Sequence, residues 1–486
     1  MKLLLIRPPQ QNSSVFHILP PLGLGYLAES VKHLNVDVRI IDCVNQMMGI
    51  QPLLGLIAQA KPDIIGFTVY SHDLKNIKII SAYVKEHISR SIYILIGGPH
   101  PSVAPRHACE YLPDIDFAFK GEAEKGFAAL IEYFLKKQGS QGQKVHEDLF
   151  RIPGLIYRDA RGSFMINPQC YIDDLDVLGF PAWNLINPRN YFKTCHGVFY
   201  KNDAFVPIFT SRGCPQQCAF CAGHNIMGRK VRRRSVAHVV AEIKWLKSEF
   251  GIKEFHILDD NFTSDRVYVI AFCNALLDSE LGIYWSCPNG VRIDSLDEEM
   301  LDVMRSSGCY ALFVGIESGS QRVLDSMNKN LRLSQIKDTV VLIKRKGFKV
   351  TGFFILGYPG ETEEEMRRTI QFSKSLPLDV ADFSNFIPLP GSSIFRQLFG
   401  EDGLCRINFS SFSSPANIIG YSENPQDARR RISMIRKAYL EFYARPRILA
   451  DLMLRIRSPY QFYYILKRLV AYLSPRSFLL QKSLHA

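Results

Sequence analysis

The sequence predicts an α/β protein in three parts: a doubly wound domain over residues 1–140, a partial (β/α) TIM-type barrel over residues 206–400, and a basic helical extension over residues 401–486. Three observations predict it. Short, nearly all-apolar runs at 3–6, 38–41, 64–69 and 93–96 read as parallel strands buried on both faces, with helix-like stretches such as 25–33 and 76–87 between them. A second series begins at Val206, with "VPIFTSRG", "EFHILDDNF", "IYWSCPNG", "ALFVGIESG" and "VTGFFILGYPGE". Its spacings of about 30 to 45 residues suit βα units that close into a barrel. From about Gly400 the β pattern stops and the chain reads as helical and basic.

Taken in order, "MKLLLIRPPQ" offers only Leu3 to Ile6 before Arg7 and two prolines, too short for a signal-peptide core, so it reads as the first strand. No apolar run reaches the roughly 18 residues of a membrane span. The expected location is therefore the cytoplasm, where the eleven cysteines stay reduced as ligands, nucleophiles or small core residues. Ligands of a doubly wound domain gather at strand carboxyl ends, here "IIDCVNQ", "TVYSHD" and "IGGPHPS". Residues 141–205 read as a linker containing a hairpin, "GLIYRDARGSFMIN", around an Asp-Ala-Arg-Gly turn. An apolar fraction of 47% with 22% charged residues is that of a globular chain.

The net charge of +12 is unevenly placed. From Asp427 onward 13 Lys or Arg face 3 Asp or Glu, so that segment alone carries +10. Leu449, Leu452, Met453 and Ile456 form one helical stripe, and Phe462, Ile465, Leu466, Leu469 and Leu473 a second. Packing on the barrel with the arginines in water is the favoured reading; peripheral contact with an anionic membrane is the alternative. No DNA or RNA module accompanies the charge, so nucleic acid is not an expected partner.

"CPQQCAFC" places Cys214, Cys218 and Cys221 on the loop after the first barrel strand. Structural zinc normally recruits four protein ligands, and His224 offers a fourth. Three cysteines alone suit a [4Fe-4S] cluster with one iron left open to a substrate or cofactor. The spacing C-x3-C-x-aromatic-C, with Phe220 as the aromatic, resembles the signature of the radical S-adenosylmethionine (SAM) superfamily. The resemblance implies that the three cysteines hold the cluster, that its open iron chelates the methionine part of SAM, and that Phe220 packs near the adenine. It further implies SAM contacts from "LDDNFTSD" (Asp259, Asp260, Asn261), from "VGIESGS" (Gly315, Glu317, Ser318), and from a turn at "LGYPGET" (Gly357, Pro359, Gly360).

In the first domain, "IGGPHPS" and "KGEAEKGF" resemble the cobalamin-binding domain of B12-dependent radical SAM proteins, which carries Gly-Gly-x-His and Gly-Glu-x-Glu. The implied contacts are Gly97, Gly98, His100, Gly121, Glu122 and Glu124. Many cobalamin domains place a cobalt-ligating histidine after the second strand. Here Val44 stands at that position, so no histidine ligand is expected from this loop. His72 and Asp73 end another strand and read either as a corrin-amide contact or as solvated loop residues, and Cys287 and Cys309 read as core cysteines or hydrogen donors.

The resemblance implies a cobalamin-dependent radical SAM enzyme that methylates an unactivated carbon of a small molecule, a lipid or tetrapyrrole among the candidates, with an external electron donor such as flavodoxin or ferredoxin. Oxidative ring formation, as in the anaerobic magnesium-protoporphyrin monomethyl ester cyclase, is the alternative. A cobalamin carrier or sensor with a structural metal site is the reading without catalysis.

Overall fold

A computed structural model describes residues 1–10, 18–139, 145–191, 200–400 and 425–454, together with residues 403, 404, 407, 409 and 462. Five parallel strands open the chain: β1 (Lys2–Arg7), β2 (Asp37–Asp42), β3 (Ile64–Thr68), β4 (Tyr93–Gly97) and β5 (Phe117–Phe119). The predicted hairpin follows as β6 (Leu155–Arg158) and β7 (Phe164–Ile166). It does not stand apart as a linker, because β6 pairs antiparallel with β5 and extends the first sheet to the order β2-β1-β3-β4-β5-β6-β7. Residues 4, 6, 65, 67, 94 and 96 face one apolar layer and residues 3, 5, 64 and 95 the other. Burial on both faces explains why these strands are almost uniformly apolar.

The second half begins with β8 (Phe205–Ile208), followed by a short antiparallel pair, β9 (Ser211–Arg212) and β10 (Arg232–Arg233). Next come β11 (Glu254–Ile257), β12 (Tyr284–Val291), β13 (Cys309–Glu317), β14 (Lys349–Leu356) and β15 (Val380–Asn385). Apart from β9 and β10 these form one parallel sheet in sequential order, β8-β11-β12-β13-β14-β15. It ends at β8 and β15, giving the expected partial barrel. The sixth strand, β15, is missing from the sequence reading. Its "VADFSN" mixes polar residues among the apolar ones and lacks the continuous run that marks a buried strand.

The helix Pro425–Tyr443 covers the β15 edge. Met434, Ile435, Ala438 and Phe442 join the barrel core, the Tyr443 hydroxyl donates to the Ala381 carbonyl (2.9 Å), and the Phe383 N–H donates to the Tyr439 hydroxyl (3.2 Å). An open sheet edge exposes unpaired backbone groups, and the tyrosines occupy some of them. In the following helix, Pro446–Leu454, Ile448 reaches the same core while Leu449 and Leu454 are exposed. Of the second predicted stripe only Phe462 is described, and it is exposed; the remaining positions, with Ile456, lie outside the described residues.

Phe442 is wholly buried beneath this edge cover. Phe442→Ala should cost about 3–5 kcal/mol of unfolding free energy, measured as a lower urea midpoint with unchanged slope.

Candidate active site between the two sheets

The carboxyl ends of β1, β3, β4 and β5 and the rim of the barrel together enclose a cavity of about 480 Å³. On the first sheet its floor includes the glycines Gly66, Gly97 and Gly98 among apolar side chains such as Phe67 and Phe119. A Cβ at Gly97 would meet nothing nearer than Phe119 at 3.9 Å, so any larger residue there would fill cavity space. Gly98 has φ +96°, and a Cβ would press to 2.9 Å from the Thr68 hydroxyl; only glycine fits. Gly121, at φ +73°, continues the floor and donates its N–H to the Ser102 hydroxyl (2.9 Å). A flat, bulky ring laid on backbone is what such a surface accepts, and cobalamin fits that description. In the loop after β2, Val44 is buried, and the Asp42 carboxylate accepts the N–H groups of Val44 and Asn45 (3.0 and 3.1 Å).

The opposite wall is the barrel rim, with Phe209, Arg212, Gly223, Ile226, Leu258 and Asp260. The cysteine loop runs between β9 and β10 and is tightly closed at its base. A Cβ at Gly213 would fall 2.3 Å from the Lys230 carbonyl, and the Cys214 N–H donates to the Gly228 carbonyl (3.2 Å). All three thiols are free; Cys221 is exposed and the other two are half-buried. Burial pushes the Cys214 and Cys221 thiols up and neighbouring thiols add to it, against backbone N–H groups that lower both. The Gly223 N–H approaches the Cys221 sulfur at 3.4 Å. Among the described residues no group of three or more His, Cys, Asp or Glu converges on a single metal ion.

Phe220 packs against the group formed by Val323, Met327, Tyr358, Phe386 and Ile394, with the Lys329 ammonium 5.9 Å from its ring centre. Of the predicted polar residues in the barrel, only Asp260 is among the residues lining the cavity, and burial raises its carboxyl. Its neighbour Asp259 turns inward and accepts from the Thr210 N–H (2.7 Å) and the Thr210 and Ser211 hydroxyls (2.5 and 2.6 Å). Asn261 is buried, and among the described residues its Oδ1 has no hydrogen-bond partner. Glu317 sits at φ +66°, paired with Lys329 at 2.6 Å. Ser318 is buried against the Thr369 hydroxyl (3.1 Å) and accepts the Ser320 N–H, which makes it a packing residue. Gly357 and Gly360 both hold positive φ in the turn after β14.

Three predicted contacts of the first domain already have protein partners. His100 does not line the cavity: it is wholly buried, with Nδ1 2.9 Å from the Ser71 hydroxyl and Nε2 3.1 Å from His107. Glu122 lies in the cavity wall, but its carboxylate is taken by Arg232 (2.5 and 2.8 Å) and the Ile172 N–H (3.0 Å). Glu124 is taken likewise by Arg212 (2.6 Å). Burial alone would raise the Glu124 carboxyl; the guanidinium brings it below the usual range. His72 contacts Gln10 (3.0 Å), while Cys287 and Cys309 are buried in the core, their thiols pushed well up by desolvation.

Sequence reasoning missed four cations: Arg212, Arg232, Arg292 and Lys329. Arg292 donates to the Lys329 carbonyl (3.1 Å), pairs with Asp294, and lies close enough to Cys214 and Cys218 to feel their charge. The signal for the first two was present in "SRGC" and "VRRRS", basic residues flanking the cysteine loop on both sides.

The glycine-bearing end of the first sheet thus faces, across one cavity, the barrel rim whose loop carries three free thiols. Residues 208–373 match the Radical SAM superfamily and residues 12–131 match the B12 binding domain. The chain is 30% identical over 455 residues to an uncharacterised methyltransferase of Pyrococcus horikoshii, covering 92% of this chain and 94% of the relative. It is 30% identical to the cytidylyl-2-hydroxyethylphosphonate methyltransferase of Streptomyces wedmorensis (82% and 81% covered). It is 27% identical to the anaerobic magnesium-protoporphyrin IX monomethyl ester cyclase of Rubrivivax gelatinosus (82% and 70% covered). The solved structure of the cobalamin-dependent SAM radical enzyme OxsB, with aqua-cobalamin and SAM bound, shares the fold at TM-score 0.71 and 18% identity, covering 99% of this chain and 80% of that one. The chain belongs to the radical SAM superfamily, in the branch that carries a B12 binding domain, and its cofactors are a [4Fe-4S] cluster, SAM and cobalamin.

Gly97→Val should weaken cobalamin binding at least tenfold, read by spectral titration, while the far-ultraviolet circular dichroism stays unchanged. Burial, with His107 beside it, pushes the His100 ring down to about 3. An unfolded chain takes up that proton near pH 6.5, so the stability His100 contributes is complete above that pH and lost as pH falls towards 3. His100→Gln should therefore flatten the decline of the urea midpoint over this window; an unchanged slope would show that other groups govern it.

Proposed function

We propose that this protein is a cobalamin-dependent radical SAM methyltransferase that adds a methyl group to an unactivated carbon of a small-molecule intermediate. The observation that carries the reading is the shared cavity: the floor at Gly97 and Gly98 and the rim residues Gly223 and Asp260 border the same space. When bound, the cluster and SAM supply a hydrogen-abstracting radical and cobalamin a transferable methyl group. The chain's own part is positional. Cys214, Cys218 and Cys221 hold the cluster; Phe220, Asp260, Asn261 and the Glu317–Lys329 pair orient SAM; Gly97, Gly98 and Gly121 seat the corrin. Leu22, Phe67, Phe119 and Phe209 give the cavity apolar walls that exclude water from a reactive intermediate. In this reading residues 1–140 bind cobalamin, residues 206–400 form the radical SAM barrel, and an external flavodoxin or ferredoxin supplies the electron.

Oxidative ring formation is the second reading, favoured by the likeness to the cyclase. Incubation with methyl-labelled SAM and candidate substrates separates the two. A product heavier by one methylene and carrying the label supports methylation, whereas added oxygen or a new ring supports cyclisation. The basic segment from residue 427 favours a substrate with acidic groups, a lipid or tetrapyrrole at an anionic membrane surface. Among the described residues no helix is long and apolar enough to cross a membrane.

Cys218→Ala should abolish both the brown cluster absorbance and the release of 5′-deoxyadenosine, measured by anaerobic reconstitution and chromatography. Retained cleavage would overturn the assignment.

A further inference from the structure

The segment Gly121 to Glu124 and the cysteine loop both border the cavity, and four buried charges join them. Glu122 holds the Arg232 guanidinium at two points, and the same guanidinium donates to the Met227 carbonyl inside the loop (2.7 Å). Glu124 holds Arg212, two residues before Cys214, at 2.6 Å, and Arg212 also lies 3.7 Å from Glu122. The four side chains are 1 to 8% exposed. A carboxylate buried this deeply is strongly unfavourable without its guanidinium, so the floor segment and the cysteine loop hold their places together or leave them together.

We infer that Glu122 and Glu124 are positioning residues that make cobalamin binding on the glycine floor and ordering of the cysteine loop one linked equilibrium. The inference rests on the reading of that floor as the cobalamin site. A ligand that fixes the floor fixes the loop through the two ion pairs, and coupling of this kind is reciprocal: an assembled cluster must tighten cobalamin binding by the factor with which cobalamin steadies the loop.

The test uses the full chain, cluster-free and anaerobically reconstituted, with hydroxocobalamin as the probe. Affinity is read by spectral titration, and loop order by the rate of proteolytic cleavage within residues 213–231 of the cluster-free protein. For the wild type, cobalamin should bind roughly tenfold more tightly with the cluster present and should slow cleavage. In Glu124→Gln and Glu122→Gln, cobalamin should still bind, but both effects should shrink to within about twofold; Glu124→Asp, which keeps the charge, should retain them. Equal wild-type affinity with and without the cluster, or glutamine variants that keep the full coupling, overturns the inference. If a variant fails to fold, the wild-type comparison decides by itself. Absence of any cobalamin binding by the wild type removes the cofactor reading and the coupling with it, whereas binding without coupling removes only the coupling.

Discussion

The arrangement depends on charges that have left water. Arg212, Arg232, Glu122 and Glu124 meet where the first sheet touches the barrel, each almost fully buried. Removing an ion from water costs several kcal/mol, recovered only when geometry is good and the remaining donors find acceptors. Here they do: Arg232 reaches two carbonyls, Ile172 and Met227, beyond its carboxylate. Neither half can slide without stranding a charge, so this contact fixes the register of the first sheet against the barrel. A greasy contact of equal area would tolerate small shifts; this one specifies a distance.

A similar economy operates deeper in the barrel wall. Arg234 pairs with Glu242 at 2.5 Å, and Glu242 also accepts the Trp183 indole N–H at 2.7 Å. Trp183 comes from the connecting segment and Glu242 from the helix Val236–Phe250, so the connection is locked to the barrel by a polar bond inside an apolar core. At the barrel rim, Asp259 spends its carboxylate on the backbone and hydroxyls after β8 and so fixes the strand end that leads into the cysteine loop. One residue on, Asp260 is free to face the cavity. Adjacent residues of a chain leaving a strand point in opposite directions, which is how two neighbouring aspartates acquire a structural and a ligand-facing part.

Much of the fold was legible because burial on both faces of a parallel strand leaves an unbroken apolar run, as in residues 3–6 and 93–96. β15 was not legible: its helical cover comes from residues 425–443, and its inward positions are separated by Asp382 and Ser384. The hairpin was legible as a hairpin but not as part of the first sheet, since pairing of Phe117 with Tyr157 is decided across forty residues that carry no local sign of it.

The sequence by itself determined the local motifs: three thiols at the spacing of the radical SAM signature, an aromatic beside the last, and glycines at the ends of the first sheet's strands. Those are local properties of consecutive residues, and local spacing survives in any fold that forms the loop. Only the tertiary structure decided who stands free to bind. His100 and Glu122 carry the same motif whether buried in a histidine pair, held by a guanidinium, or open to a ligand, because a side chain's partners come from distant segments such as residues 107 and 232 and not from its neighbours in the chain.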